Sequence, residues 1–142
     1  MYLSPGVSAI GYIASMSSIT LVLPIPKTDQ NQGHGHWRSA SKDRKDDRGC
    51  AYLVAKEALG RRRGFPWPSE EVETLVCWYH PSATFRDIWN IVACLKGTID
   101  GCVRAGLLDD DRELQPPRVE RETDKENPRV ELIFTRKTAH GR

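Results

Sequence analysis

Apolar residues at Ile19, Leu21 and Leu23 alternate with Thr20 and Val22, and the run then meets Pro24-Ile25-Pro26. Alternation of period two describes a β-strand, and prolines, which lack an N–H for the ladder, end it. From Lys27 to Gly49 the chain is polar and rich in Gly, Ser, Asp and Lys, the pattern of a long loop. Cys50, Leu53, Val54 and Ala58 recur near helical period, and Gly60 stands where a helix stops, which predicts a first amphipathic helix over 50–59. After the turn-like Gly64-Phe65-Pro66-Trp67-Pro68, residues 72–79 are apolar on both faces, Val72, Thr74, Val76 and Trp78 on one and Leu75, Cys77 and Tyr79 on the other. That fits a strand inside a sheet. The clearest helical pattern spans 87–104, where Ile88, Ile91, Val92, Leu95, Ile99, Cys102 and Val103 make one stripe that ends at Ala105-Gly106. Segments 118–123 and 129–135 alternate again, and the turn residues of 124–128 predict a β-hairpin between them. The order β-α-β-α-β-β gives an α+β domain, a small mixed β-sheet packed with helices.

A chain of 142 residues with 39% hydrophobic content builds one modest core, so one domain is expected, placed at 17–136. Residues 1–16 read as a flexible N-terminal extension, with Met16 as a second candidate start, and 137–142 as a disordered C-terminal tail. The first fifteen residues lack a basic leader region and carry Pro5, Gly6 and Gly11, so neither a signal peptide nor a membrane helix is expected.

The formal charge is only +2, so position matters more than the total. Basic residues gather from Lys42 to Arg48 and at Arg61-Arg62-Arg63, and acids at Asp109-Asp110-Asp111 and from Glu120 to Glu126. Such runs serve either as solvated surface or as phosphate-binding ground beside a metal site. Cys50, Cys77, Cys94 and Cys102 form no C-x-x-C pair and read as buried thiols in a reducing compartment, not zinc ligands or disulfides. His34 and His36 lie in a Gly-rich stretch with no third ligand at a set spacing, and read as exposed polar residues before they read as metal ligands.

Acidic residues flank the strongest helix at both ends, Asp87 at its start and Asp109-Asp110-Asp111 after it. Aspartate oxygens are hard ligands suited to Mg²⁺, which activates water and neutralises phosphate charge in phosphodiester hydrolysis. The plainer alternatives stay open: Asp87 caps a helix, and the Asp run is a solvated loop. A straight helix of about 18 residues spans roughly 27 Å, so Asp87 and Asp111 meet only if the chain folds back after Gly106 or a second subunit supplies one of them.

Arg86-Asp87-Ile88-Trp89-Asn90, then Lys96, Asp100-Gly101, Ala105-Gly106-Leu107-Leu108 and Asp110-Asp111 resemble, in order, the R-D-x-D-N … K … D … A-G … D-D signature of RusA family Holliday-junction resolvases, especially phage-encoded ones. The strand and prolines at 19–26 and the segment Pro128-Arg129-Val130-Glu131-Leu132 are similar to the family's opening and closing strands, so the likeness runs from about Ser17 to Arg136. The resemblance implies a RusA-like domain and a homodimeric endodeoxyribonuclease of recombination and repair. Such an enzyme resolves four-way junctions and other branched DNA by paired nicking with Mg²⁺, or Mn²⁺ in its place. It further implies metal ligands at Asp87, Asp110 and Asp111, catalytic roles for Asp87, Asp111 and Lys96, and a cytoplasmic setting in a bacterial host, phage- or prophage-encoded. Lys96 would contact the scissile phosphate or the leaving oxygen, or else pair with Asp100 on the helix surface. Backbone contacts fall to Arg44, Lys45, Arg48, Arg61, Arg62, Arg63 and Arg86. The family's second aspartate position is Trp89 here, which cannot ligate Mg²⁺. Asp109, Asp110 or Asn90 then supplies the oxygen, or the chain is a catalytically impaired junction-binding protein, with Trp89 free to stack on an unpaired base.

Overall fold

The computed structural model describes residues 10–27, 37–82 and 87–137, with residues 37–40 described by backbone alone. The elements are β1 (Gly11–Ala14), β2 (Ser18–Leu23), α1 (Trp37–Leu59), a 3₁₀ turn (Ser69–Glu71), β3 (Val72–His80), α2 (Ile88–Cys94), α3 (Lys96–Ala105), β4 (Arg118–Thr123) and β5 (Arg129–Arg136). The strands make one five-stranded sheet in the order β1-β2-β5-β3-β4. Pairing is antiparallel except between β3 and β4, which run parallel. The fold is α+β, a mixed sheet packed with helices.

Alternation builds the core. Ile19, Leu21 and Leu23 of β2, Val72, Val76 and Trp78 of β3, and Val130, Leu132 and Phe134 of β5 are all buried. They form one cluster with Ala51, Val54, Ala55 and Ala58 of α1, with Ile91 and Leu95, and with Cys102, Ala105, Leu107 and Leu108. A cis peptide joins Phe65 to Pro66, and the Phe65 and Trp67 rings stack with centroids 4.8 Å apart before β3 begins. The four cysteines are free thiols. Burial pushes the Cys77 thiol up to about 11 and Cys102 up to about 12, so neither supplies a thiolate ligand near neutral pH. No described helix is long and apolar enough to cross a membrane.

Four elements differ from those the pattern predicts. First, the long loop expected from Lys27 to Gly49 gives way to helix from Trp37 onward. Its polar half buries a narrow line spaced by four residues, Asp43, Asp47 and then Ala51 and Ala55. Aspartates read as loop residues, but a carboxylate whose burial is offset by hydrogen-bond donors can face a core, and Asp47 Oδ1 accepts the Lys27 backbone N–H at 2.8 Å. His34 and His36 lie outside the described residues. Second, Gly11–Ala14 within the expected extension is an edge strand, paired with β2 from Gly11↔Val22 to Ala14↔Ile19.

Third, β4 and β5 do not form a hairpin. The turn at 124–128 exists: Asp124 Oδ1 accepts from the Glu126 and Asn127 amides at 3.2 and 3.0 Å. It carries the chain across the end of β3 and not back along β4, because Thr123 pairs with His80 while Arg129 pairs with Tyr79 on the other side of β3. The Asp124 amide donates to the His80 carbonyl at 2.8 Å and fixes that crossing. Fourth, the helix expected over 87–104 breaks at Leu95 into α2 and α3. Within the expected stripe Ile91, Leu95 and Cys102 are buried, whereas Ile88 is exposed.

Candidate functional site

Asp87 precedes α2 in extended conformation, and its Oδ1 accepts the Trp89 backbone N–H at 2.7 Å. It is the cap that the sequence allowed, and only this one oxygen has a partner among the described residues. The break at Leu95 (φ −87°, ψ −2°) then starts α3, which stops at Gly106 with φ 91°, the left-handed conformation that suits glycine. Asp87 and the acidic run therefore lie at the two ends of a broken helix.

Beyond Gly106 the chain folds back. Leu107 and Leu108 enter the core. The Trp67 amide donates to the Leu107 carbonyl at 2.9 Å, and the Asp109 amide donates to the Trp67 carbonyl at 3.1 Å. This return divides the three aspartates into three roles. Asp109 Oδ1 accepts from Ser69 N and Oγ at 3.0 and 2.9 Å. The Ser69 amide bond, ahead of the hydroxyl bond, holds its carboxyl below the usual range, so Asp109 is a structural clamp on the 3₁₀ turn. Asp110 accepts from Arg112 Nε at 2.9 Å, Nη2 at 2.8 Å and the Arg112 backbone N–H at 3.0 Å. Hydrogen bonds from the Arg112 side chain first, and then from the Arg112 backbone N–H, pull Asp110 down to about 2. Asp111 faces Lys96, whose Nζ lies 3.9 Å from Oδ2. Fold-back thus brings the acid after α3 to the lysine that begins α3.

Two expected results follow locally. Ser69→Ala removes a buried hydroxyl that donates to Asp109 and contacts the Asp110 carbonyl. It should cost about 1 kcal/mol and lower the melting temperature by about 4 °C in a thermal scan; an unshifted transition would remove the clamp from the argument. Arg112→Ala should return the Asp110 carboxyl from about 2 toward the ordinary ~3.9, read by carbon-detected NMR titration. The sign is that of a depressed acid: the Arg112 contact stabilises the fold above the unfolded carboxylate range and is lost as pH falls toward 2.

Beside Lys96 opens a cleft of about 630 Å³ between α1 and α3, lined by Arg44, Arg48, Asn90, Lys96, Gly97 and Asp100 among others. Its floor is set by glycine: a Cβ at Gly97 would stand 2.7 Å from the Arg44 carbonyl oxygen. Arg48 Nη1 reaches Asp100 Oδ2 at 3.5 Å, and Arg104 Nε reaches the same oxygen at 3.7 Å. Asp100 therefore pairs with arginines, and Lys96 with Asp111. Arg44 makes no ion pair or side-chain hydrogen bond among the described residues, so its charge is uncommitted. Lys45 is exposed on α1.

The second basic cluster is elsewhere. Arg48 lies about 16 Å along α1 from the helix end at Leu59, beyond which Arg61-Arg62-Arg63 follow. Arg62 is tied to the Ser15 carbonyl and lies over the Phe65 ring at 5.5 Å, while Arg61 and Arg63 are exposed. Arg86 lies outside the described residues. Asp87, Asp110 and Asp111 do not converge: among the described residues no group of three or more His, Cys, Asp or Glu is placed to hold one ion. The cleft itself went unread in the sequence, although Gly97-x-x-x-Gly101, a small-residue pair on one helix face, was the available signal.

No family model matches the chain, and no curated protein matches it either. Among solved structures, a MotB-like protein from Desulfovibrio vulgaris is 19% identical, over 94% of this chain and 82% of that one, with a TM-score of 0.41, a superposition too loose to inform the site.

Proposed function

We propose that the protein is a Mg²⁺-dependent endodeoxyribonuclease that nicks four-way junctions and other branched DNA, acting as a homodimer as the RusA resemblance implies. The observation that carries this reading is the 3.9 Å contact of Lys96 with Asp111 at the edge of a cleft lined by Arg44 and Arg48. A carboxylate able to take a divalent ion, a lysine able to meet a phosphate, and a basic surface for the backbone then adjoin one another.

The donor set fits the ion in kind. Mg²⁺ is commonly held by one or two carboxylates with waters and substrate phosphate. Asp111 and Asp110 would supply such a pair, Asp110 once Arg112 releases it, since both of its oxygens accept from Arg112 here. Asp87, at the far end of α2, would join from a second subunit or after movement of α2. When bound, the ion supplies Lewis acidity to the phosphate and lowers the pKa of an attacking water. The chain's own residues do the rest: Arg44 and Arg48 hold flanking phosphates, and Lys96 leaves Asp111 to neutralise charge developing on the scissile group.

A second reading has its own observation. Where the resemblance places an acid, Trp89 stands 80% exposed, which favours a junction-binding protein without chemistry. A synthetic four-way junction and a matched linear duplex, each with Mg²⁺ and with EDTA, separate the two. Paired nicks that need Mg²⁺ are expected; tight junction binding without nicks in any divalent ion would leave only the binding protein. Binding should also be salt-dependent. If Arg44, Arg48 and Lys96 each neutralise one phosphate, the slope of log affinity on log salt is about −3 per subunit. Arg44→Ala should make the slope shallower by about one, and an unchanged slope would exclude Arg44 from the DNA contact.

A further inference from the structure

We propose that Trp89 and the basic cleft behind it form a site for one unpaired nucleotide of DNA, with the phosphate on Arg44 and Lys96 and the base stacked on the indole ring. The inference builds on the nucleic-acid side of the proposed function and names what the branch point presents.

Trp67 and Trp78 are 3% and 1% exposed, in keeping with the high average burial of tryptophan, whereas Trp89 is 80% exposed with Ile88 beside it at 42%. Asp87 holds the Trp89 backbone N–H at 2.7 Å, which sets the start of α2, and the next residue, Asn90, already lines the cleft. Trp89 does not itself line the cleft, but it directly precedes Asn90, which does, and so sits next in the chain to a space whose walls carry Arg44, Arg48 and Lys96 against the single acid Asp100. Asp100 is taken up by Arg48 and Arg104. Arg44 has no such partner, and Lys96 is 77% exposed with only a long contact to Asp111.

That combination selects its ligand by chemistry. A cleft of about 630 Å³ lies within the ~300–1,000 Å³ of ordinary small-ligand sites. Arg44, which has no carboxylate partner among the described residues, and Lys96, whose contact with Asp111 is a long 3.9 Å, call for an anion, and an exposed indole calls for a flat apolar face. A nucleotide offers both, and the Asn90 amide adds a donor and an acceptor for a base edge. In a paired duplex each base face is covered by its neighbours, so only a base already out of the stack meets Trp89.

The test measures affinity in EDTA, so that binding is separated from cutting. The probes are a blunt duplex and the same duplex carrying a single-stranded oligothymidine arm. Wild type should prefer the armed duplex by about 10-fold or more. Trp89→Ala should erase that preference without changing affinity for the blunt duplex, and Trp89→Phe should keep most of it. Because the ring is exposed, both variants should melt with wild type. A preference that survives Trp89→Ala overturns the proposal, as does an equal loss on both probes. So does a fall in solution mass on substitution, which would make the ring a self-association contact. Trp89-dependent preference without nicking sinks the nuclease reading alone; nicking without that preference sinks this one alone.

Discussion

Asp111→Asn is expected to slow Mg²⁺-dependent nicking of a four-way junction by at least about 100-fold while leaving junction affinity in EDTA intact. Asparagine keeps the shape but loses the charge and one carboxylate oxygen, so a site built on Asp110 and Asp111 would be left with a single acid. Because Asp111 is bound by nothing stronger than Lys96 at 3.9 Å, its removal should not disturb the fold, and a melting curve superimposable on wild type is part of the expectation. Lys96→Ala should also slow nicking, on the order of 100-fold, because a positive group aimed at developing charge contributes on that scale. The two losses should differ in the metal titration. Half-saturating Mg²⁺ should rise for Asp111→Asn and stay constant for Lys96→Ala, since only the first removes a ligand.

Asp109→Asn gives the internal control. Ser69 holds that side chain through two hydrogen bonds at 3.0 and 2.9 Å, so its replacement should lower the melting temperature and leave the nicking rate of the folded protein unchanged. If instead Asp109→Asn abolished nicking and Asp111→Asn spared it, the division of the acidic run would be wrong and the proposed site would fall with it.

That division was not legible in Asp109-Asp110-Asp111 itself. Three identical residues carry no sign of which one a serine forty residues upstream will hold. The same limit applies to β4 and β5. The turn chemistry at 124–128 was read correctly as a reversal, but local residues do not say whether the returning strand takes the near side of its predecessor or crosses another strand, and β3 sits between the two. What was legible depended on burial periodicity. β2, β3, the stop at Gly60 and the stop at Gly106 all follow from apolar spacing and glycine placement. The N-terminal half of α1 escaped because its buried line starts with aspartates, which a hydrophobic count scores as loop. The basic residues from Lys42 to Arg48 thereby move from loop to helix, and a helix gives Arg44 and Arg48 a fixed spacing of one turn along the cleft wall.

That wall depends on Gly101, and Gly101→Ala is expected to destabilise the protein by about 2 kcal/mol, a fall of about 7 °C in melting temperature. At an open helical position the same change stabilises by up to ~1 kcal/mol, so the sign of the effect is set by what the methyl meets. At Gly101 it would meet the Arg48 carbonyl oxygen well inside contact distance, with Ala51 Cβ and Tyr52 N each at 3.0 Å. Two of those three are backbone atoms of α1, which cannot rotate away, so the helices must part. Gly49, inside α1 with nothing near its Cβ position, is the control: Gly49→Ala should raise stability by ~0.5–1 kcal/mol. Parting the helices also moves Arg44 and Arg48 away from Lys96 and Asp100 across the cleft. Gly101→Ala should therefore weaken DNA binding at temperatures where the variant is still folded, whereas Gly49→Ala should not. Equal stabilisation by both alanines would show that α1 and α3 do not touch at Gly101. The cleft, the uncommitted Arg44 and the nucleotide site proposed at Trp89 would then lose the geometry on which they rest.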